Sequence, residues 1–395
     1  MSRKKLLIVS GGMEIGGIER SLLGLLGELD YDRYDVDLLL FSVKGELLPL
    51  VDKRCNLLPE IPQCAVMTEP VSVALKRYPL IAANRCLHRL RVKQKYGTND
   101  GAVFELLSSY WKSCVKFMPA LTKEYDAAIS FMWPHEYVAK KVKAKKKIAW
   151  IHTDYTVATM DFEKDEKTWK VFDKIAGVSD DVCAAFKPVY PSLSDKLITV
   201  ENILSPVFVR AQSEVGIPGD MDTACKTVVS VGRFCHQKAF ELVPQYCRIM
   251  LDSGCCFKWY LIGYGSDEDL IKEEIKKYGV DDNLIILGKK TNPYPYMAAC
   301  DVYVQPSRYE GKAVTVREAQ ILGKPVIITD FETAGSQITD GFDGIICPMN
   351  SQGVAAAVMS LLNDKEKCRQ LSENCLATDY SNASATQIIY GIIEE

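Results

Sequence analysis

The sequence has no long apolar run, few histidines and no strong charge of one sign. A helix that spans a membrane needs about 20 consecutive apolar residues, and none of the 395 residues begins such a run. Only four histidines are present, without an H-E-x-x-H motif or a Cys/His cluster, so no metal site is expected. The net charge of -3, from 48 basic and 51 acidic residues, does not favour a nucleic-acid partner.

The cysteine pattern and the first residues both indicate a cytoplasmic protein. Fourteen cysteines are scattered along the chain and none has C-x-x-C spacing, so we expect reduced thiols rather than a disulfide scaffold. The first apolar segment follows a basic end but reaches Gly11 too soon for a signal-peptide core. We interpret it as a first strand. The length predicts two or three domains.

Strand-like and helix-like patterns alternate, which is typical of α/β domains with parallel sheets covered by helices on both faces. A stretch with Pro and Gly after Ser205 suits a linker, so we predict domains at 1–205 and 206–379. A final helix at about 380–395 is expected to pack back on the first domain. The predicted strands are 6–10, 35–41, 127–130, 147–151, 174–178, 196–199, 227–231, 258–262, 284–287, 302–305, 325–329 and 344–346.

Basic charge is concentrated in the first domain. Residues 1–205 carry 30 basic against 26 acidic side chains, whereas residues 206–395 carry 18 against 25. The segment 70–99 has no acid and contains several leucines. The basic residues form two clusters, and either cluster alone fits solvated helix faces or a charged loop. Together in one domain, they allow an amphipathic surface that binds anionic lipid or a phosphate-bearing acceptor. The clusters are Lys76, Arg77, Arg85, Arg89, Arg91, Lys93 and Lys95, and Lys140, Lys141, Lys143, Lys145, Lys146 and Lys147.

Glycine-containing turns follow the opening strand of each half. The first turn, which includes Gly16 and Gly17, opens a helix whose amides and dipole favour an anion. Its spacing is not G-x-G-x-x-G, which disfavours a nicotinamide dehydrogenase. In the second turn, Arg233 and Lys238 follow Gly232 at a spacing that suits two phosphates, although two unrelated surface cations fit equally well.

The segment 306–319 is the most specific element. It follows a strand and predicts a helix from near Val314, with Glu310 in the loop and Glu318 about one turn into the helix. A carboxylate accepts from two neighbouring hydroxyls of a ribose or a sugar, and the amides at the helix start favour a phosphate. The alternative is an exposed loop acid and a surface glutamate paired with Arg317 or Lys324.

Together these motifs resemble a known family. The E-x7-E pair Glu310 and Glu318, the G-R-F…K run after the second domain's first strand and the G-G…G-G-x-E-R run after the first strand are similar to retaining GT-B glycosyltransferases of family four. The resemblance is strongest at about 227–348. It implies two Rossmann-like doubly wound domains facing a central cleft, no metal or other cofactor, a nucleotide-sugar donor with a UDP-sugar favoured, and a glycan or lipid-linked glycan acceptor.

The resemblance also implies roles for individual residues. Glu318 would bind the ribose, Glu310 the donor sugar, and Arg233 and Lys238 the diphosphate. His152, at a strand end, would contact the donor sugar or the acceptor. The implied catalytic residues are Glu310, Arg233, Lys238 and His152, and the implied donor-binding residues are Gly16, Gly17, Gly232, Arg233, Lys238, Lys289, Gly311, Lys312, Ala313, Val314, Thr315 and Glu318.

Two departures from the family pattern leave the sugar open. Lys312 and Ala313 follow Gly311 where the family loop has Phe and Gly, and Ala239 replaces the glycine that commonly follows the lysine. A GT-B sugar-nucleotide epimerase and a non-catalytic partner of another transferase remain alternatives. A phosphorylase of this fold would need a pyridoxal lysine, for which the sequence offers no persuasive context.

Overall fold

The computed structural model describes residues 3–97, 102–153, 155, 159–216, 218–222 and 224–395. These residues form two compact units, of which unit 1 comprises residues 1–203 and 383–395 and unit 2 comprises residues 204–382. The division lies two residues before the boundary predicted from sequence. Thr98 and Asn99, at the end of the acid-free segment, lie outside the described residues.

Strands and helices alternate through most of both units. The strands are β1 (Lys4–Ser10), β2 (Tyr34–Leu40), β3 (Asn56–Leu57), β4 (Glu124–Ser130), β5 (Lys143–Ile151), β6 (Lys174–Gly177), β7 (Leu197–Thr199), β8 (Lys226–Val231), β9 (Phe257–Ile262), β10 (Leu284–Gly288), β11 (Val302–Gln305), β12 (Val326–Thr329) and β13 (Ile345–Cys347). The helices are α1 (Gly17–Glu28), α2 (Pro62–Ala65), α3 (Val71–Arg77), α4 (Pro79–Tyr96), α5 (Ala102–Cys114), α6 (Glu136–Lys141), α7 (Phe162–Trp169), α8 (Asp180–Phe186), α9 (Pro206–Ser213), α10 (Val243–Asp252), α11 (Glu268–Tyr278), α12 (Tyr294–Ala299), α13 (Val314–Ile321), α14 (Ser351–Asn363), α15 (Lys365–Ala377) and α16 (Ala385–Glu394).

Unit 1 contains a seven-stranded parallel sheet in the order β3-β2-β1-β4-β5-β6-β7. The chain winds outwards in both directions from the β1–β4 pair, as in doubly wound folds.

All twelve strands predicted from sequence form in the two units, with ends shifted by up to four residues. The edge strand β3 was missed, because two exposed residues carry no apolar pattern.

Unit 2 contains a six-stranded parallel sheet in the order β10-β9-β8-β11-β12-β13. Successive side chains of a strand point to opposite faces, and β9 shows this directly. Trp259 and Leu261 pack into one buried cluster, whereas Tyr260 and Ile262 pack into the other. Helices therefore cover both faces, and β8 and β11 lie at the centre, where the winding direction reverses.

The last helix, α16, packs on unit 1. The Tyr390 ring stacks on Tyr34 with centroids 4.9 Å apart, and the Asp30 amide donates to the Tyr390 hydroxyl at 2.7 Å. This helix starts at Ala385, five residues after the expected start at about residue 380. Tyr380 belongs to the core of unit 2, where its hydroxyl donates to Asp343 at 2.9 Å.

No helix among the described residues combines the length and the apolar character that a membrane crossing requires.

The packing of α16 generates a stability prediction with a matched control. Ile389 is fully buried, whereas its neighbour Ile388 is 44% exposed. We expect Ile389→Ala to lower the free energy of unfolding of unit 1 by about 2–5 kcal/mol, because it opens a cavity. Ile388→Ala should change it by no more than about 0.5 kcal/mol. Urea unfolding of both variants measures this, and equal losses would contradict the packing described.

Candidate functional site

The candidate site residues of unit 2 follow the carboxyl ends of its two central strands. Gly232 and Arg233 come directly after β8, and the loop 306–313 links β11 to α13. Open α/β sheets bind ligands in the crevice outside the carboxyl ends of strands where the winding direction reverses. The topology therefore brings Arg233, Lys238 and Glu310, which are distant in sequence, to one edge of the sheet.

A nearly buried ion pair joins the loop after β8 to the loop after β11. The Lys238 ammonium pairs with Glu310 Oε1, and the two side chains are 15% and 6% exposed. Ser307 donates to the same oxygen at 2.5 Å, and Gln237 Nε2 donates to Glu310 Oε2 at 3.2 Å. Because removing one partner of a buried pair leaves an uncompensated charge, this pair fixes both loops.

A chain of buried hydrogen bonds supports the ion pair from inside the sheet. The Tyr303 hydroxyl donates to Gln305 Oε1 at 2.9 Å, and Gln305 Nε2 donates to Ser307 Oγ at 3.0 Å. Thr315, in the first turn of α13, also donates to Gln305 Oε1 at 3.2 Å. The side chains of β11 thereby orient Glu310 through Ser307 and tie the start of α13 to the same network.

Glu318 lies one turn into α13, as predicted, but its side chain exposes no surface. The Tyr294 hydroxyl donates to Glu318 Oε1 at 2.7 Å. The alternative of a surface glutamate is wrong, because Glu318 is fully buried. Arg317 donates to Gln320 at 3.0 Å, and Lys324 donates to the Cys300 carbonyl at 2.9 Å. Glu318 is an interior carboxylate held by a tyrosine.

Helix α13 begins as expected, at Val314. Its N-cap residue, Ala313, has no side-chain oxygen to accept from the first-turn amides. Those amides carry the positive end of the helix dipole. Gly311, Lys312 and Thr315 are all partly exposed, so the turn before this helix is accessible from solvent.

Ala239, at the position where the resemblance implies glycine, adopts the left-handed conformation with φ of 56°. Glycine reaches this region without steric cost, whereas an L-residue pays about 1–2 kcal/mol. This position therefore favours glycine for a backbone reason, and Ala239 adopts the left-handed conformation at that cost.

Two glycines that the sequence interpretation missed support the loop that carries Arg233. The Gly232 amide donates to the Ile262 carbonyl at 3.0 Å, and the Phe234 amide donates to the Tyr264 carbonyl at 2.9 Å. A Cβ on Gly263 would collide with the Gly232 carbonyl oxygen, and one on Gly265 with that of Phe234. In the sequence, the G-Y-G run directly after β9 could have indicated that two backbone segments approach each other closely here.

Arg233 itself is exposed and makes no hydrogen bond or ion pair within the described part of the chain. Lys289, just after β10, places its ammonium 5.1 Å from the centre of the Tyr264 ring. Both cations thus lie beside the 263–265 turn.

The candidate residues of unit 1 lie at the carboxyl edge of its own sheet. Gly16 caps α1, which starts at Gly17, but a Cβ on Gly16 would collide with the Glu19 carboxylate. An acid therefore already lies at this helix start, where an anion was expected. His152 follows β5, and its Nε2 lies 2.9 Å from the Phe131 carbonyl oxygen. Burial lowers the pKa of His152 to about 4, so the neutral ring donates to that carbonyl near pH 7.

A buried carboxyl in unit 1 escaped the sequence interpretation. Both carboxylate oxygens of Glu136 are buried and have no hydrogen-bond partner among the described residues. The Nε2 atom of the neighbouring His135 is also buried without such a partner. Burial, with Asp165 nearby, raises the pKa of Glu136 to about 7. In sequence, Glu136 looks like an ordinary acid at a helix start, so its burial could not be inferred.

The two basic clusters differ in the structure. Lys143 and Lys145 lie in β5 and pair with Glu124 and Asp126 of β4 at 3.3 and 2.6 Å. The charged-loop interpretation is therefore wrong for residues 143–147, which form the start of a strand. Lys140 and Lys141 end α6, and a contribution of this cluster to a basic surface stays a prediction.

In the first cluster, Arg85 turns inwards, because it donates to the Val66 carbonyl at 2.7 Å and lies over the Tyr110 ring. The other basic side chains are exposed, as are three leucines that share one face of α4 at spacings of three and seven residues. We use the name α4 surface for eight residues at the end of α3 and along α4: Lys76, Arg77, Arg89, Arg91, Lys93, Leu80, Leu87 and Leu90.

The fold is that of known GT-B proteins. Staphylococcus aureus TarM, solved with UDP bound, superposes with a TM-score of 0.70 at 14% identity over 99% of this chain and 100% of that chain. Anabaena HepE in complex with UDP gives a TM-score of 0.64 at 15% identity, over 99% of each chain. The predicted class of two Rossmann-like α/β domains is confirmed. The central cleft stays a prediction.

Residues 220–376 match the family Glycosyl transferases group 1, so unit 2 carries a domain of that family. The chain is 29% identical over 192 residues to the lipopolysaccharide core biosynthesis mannosyltransferase LpsB of Rhizobium meliloti, covering 46% of this chain and 54% of that protein. It is 26% identical over 147 residues to the amylovoran biosynthesis glycosyltransferase AmsK of Erwinia amylovora, covering 35% and 36%. The chain spans about half or less of the length of these curated relatives.

The close approach at Gly263 yields a prediction about the site's backbone. We expect Gly263→Ala to destabilise unit 2 by about 1–3 kcal/mol and to displace the Arg233 loop, because the methyl group meets the Gly232 carbonyl. Gly335→Ala is the control, since nothing lies within 4 Å of a Cβ there. Thermal unfolding of both variants measures the difference. A Gly263→Ala protein as stable as Gly335→Ala would contradict the loop geometry.

Proposed function

We propose that this protein is a retaining, metal-independent glycosyltransferase of family four. It would move a hexosyl group from a nucleotide-sugar to a glycan or lipid-linked glycan acceptor in cell-surface polysaccharide synthesis. The observation that carries the proposal is the Lys238–Glu310 pair beside Arg233 and the start of α13, at the carboxyl edge of a group 1 domain. The names of the relatives, which include transferases of lipopolysaccharide core and amylovoran synthesis, support the acceptor class.

A UDP-sugar is the favoured donor. The structural neighbours TarM and HepE were both solved with UDP bound. These structures support uridine as the nucleoside of the donor only by analogy of fold, since TarM and HepE are 14% and 15% identical to this chain. The sugar itself is left open by the loop residues Lys312 and Ala313.

The leaving group in such a reaction is a nucleoside diphosphate. Fixed positive groups that face its β-phosphate stabilise the charge that develops when the glycosidic bond breaks. Arg233 supplies paired donors, and Lys238 has three donors, enough to keep Glu310 and still reach a phosphate. The amides at the start of α13 add the positive end of a helix dipole.

The acids have different tasks in this mechanism. Glu310 accepts hydrogen bonds at both carboxylate oxygens, which suits orientation of sugar hydroxyls more than nucleophilic attack. The departing phosphate would then take the acceptor's proton on the front face of the sugar, which retains its configuration. Because Glu318 is fully buried beneath Tyr294, a ribose contact at this residue requires neighbouring side chains to shift when nucleotide binds.

The phosphate contacts generate a kinetic prediction. Removing one preorganised donor of this kind costs about 2.7–4 kcal/mol of transition-state stabilisation. We therefore expect Arg233→Ala and Lys238→Ala to lower kcat about a hundredfold or more, measured as acceptor-independent hydrolysis of the nucleotide-sugar. Lys276→Ala, which removes an exposed cation of α11, should leave kcat unchanged. Wild-type turnover in Arg233→Ala would refute the assignment.

The same assay separates the alternatives. Turnover without acceptor that only inverts a sugar carbon would indicate an epimerase, and absence of any turnover with bound donor would indicate a non-catalytic partner. Release of the nucleoside diphosphate with retained anomeric configuration is the outcome that we expect.

We also propose that the α4 surface binds anionic lipid at the inner face of the cell membrane. Its exposed cations face no acid in the segment 70–99, and Leu80, Leu87 and Leu90 lie among them. Each cation near an anionic surface contributes about 1 kcal/mol, while exposed leucines insert at the headgroup boundary. A polar acceptor would meet the enzyme at the same interface.

Vesicle sedimentation tests this surface. We expect the wild type to sediment with anionic vesicles, and a variant with Gln at Lys76, Arg77, Arg89, Arg91 and Lys93 to remain in solution. A control with the same charge change in unit 2 should still sediment. Its substitutions are Arg248→Gln, Lys272→Gln, Lys276→Gln, Lys277→Gln and Arg369→Gln. Absence of wild-type binding would end the proposal without affecting the assigned chemistry.

A further inference from the structure

Two cysteines lie side by side at the amino-terminal edge of the six-stranded sheet. Cys225 immediately precedes β8 and Cys256 immediately precedes β9, and these parallel strands pair with Lys226 opposite Phe257. Residues paired across neighbouring strands point to the same face of a sheet. The two Sγ atoms are accordingly 4.0 Å apart.

This geometry is close to that of a disulfide. A disulfide needs Cα atoms about 4.4–6.8 Å apart and sulfur atoms about 2.05 Å apart. Neighbouring strands are spaced about 4.7–4.9 Å, which falls within the first range. Bond formation therefore requires each sulfur to move by about 1 Å through side-chain rotation, without rearrangement of the sheet.

The pair is also accessible to a reagent. Cys256 is exposed and Cys225 is partly exposed. The adjacent Cys255 packs instead against the apolar core of unit 2, and the other exposed cysteine, Cys86, lies in α4 of unit 1. Among the fourteen cysteines, 225 and 256 thus combine proximity with exposure.

We propose that Cys225 and Cys256 form a reversible disulfide, which makes this edge of unit 2 a redox modification site. The step is thiol–disulfide exchange with a small disulfide such as oxidised glutathione. The Cys256 thiolate attacks one glutathione sulfur and releases the other glutathione as a thiolate. The Cys225 thiolate then attacks Cys256 Sγ and releases the second glutathione. The protein loses two electrons and two protons, and the reagent is reduced to two thiols.

The proposal is independent of the transferase function. Arg233 and Lys238 follow the carboxyl end of β8, whereas Cys225 precedes its amino end, so the disulfide should leave nucleotide binding unchanged. It would link the chain entering the sheet to β9, where the Asp222 amide already donates to the Tyr260 hydroxyl at 2.8 Å. Because the thiol of Cys256 raises the pKa of Cys225, oxidation should accelerate as the pH rises.

Mass spectrometry of the full chain tests the site. The protein is equilibrated with reduced and oxidised glutathione at several ratios, and remaining thiols are then blocked with iodoacetamide. Compared with the reduced and alkylated protein, we expect the oxidised wild type to lack two carbamidomethyl groups and to yield a peptide that links Cys225 to Cys256. We also expect it to melt at a higher temperature than its reduced form. Dithiothreitol should reverse all three changes.

Serine variants identify the partners. Cys225→Ser and Cys256→Ser should abolish the linked peptide and the rise in melting temperature, whereas Cys255→Ser and Cys86→Ser should retain both. The melting temperature of each reduced variant shows that it is folded. The proposal is overturned if the wild type keeps both thiols under oxidising ratios, if Cys256 stops at a glutathione adduct, or if the bridge persists in Cys225→Ser.

Discussion

The candidate site depends on one interaction, the nearly buried ion pair between Lys238 and Glu310. The two residues belong to loops that follow different strands, and the parallel sheet brings these loops together at its carboxyl edge. A buried charge that loses its partner costs several kcal/mol, so each loop constrains the other. Arg233, which has no such partner, extends from this fixed base towards solvent.

The sequence allowed much of the fold to be predicted. Residues 6–9 of β1 and 326–328 of β12 are apolar throughout, as expected for strands buried on both faces of a sheet. The first residues of β5 are mostly lysines, so the start of this strand was missed. These residues join the sheet through backbone pairing with β4, which no apolar pattern announces. The two residues of β3 carry no apolar pattern, so this strand was missed. Residues 380–384 were predicted as the start of the last helix, which begins at Ala385.

The positions of the two candidate glutamates in the fold were predictable from a local motif. The E-x7-E spacing located Glu310 in the loop and Glu318 in α13, and the position of the helix start followed from the strand before it. The interior contacts were not predictable, because Tyr294 donates to Glu318 from another helix, and Tyr303 is linked to Glu310 only through Gln305 and Ser307. The burial of Glu136 and the inward turn of Arg85 likewise depend on packing between elements that are distant in sequence.

The central claim is that unit 2 binds a nucleotide-sugar at the carboxyl edge of its sheet. A thermal-shift screen of the full chain across nucleotide-sugars tests it most directly, because a ligand at 100 times its Kd stabilises the folded state by about 2.7 kcal/mol. The account predicts that a UDP-sugar raises the melting temperature of the wild type and that this rise is lost in Arg233→Ala. A screen in which no nucleotide-sugar changes the wild-type melting temperature would contradict it.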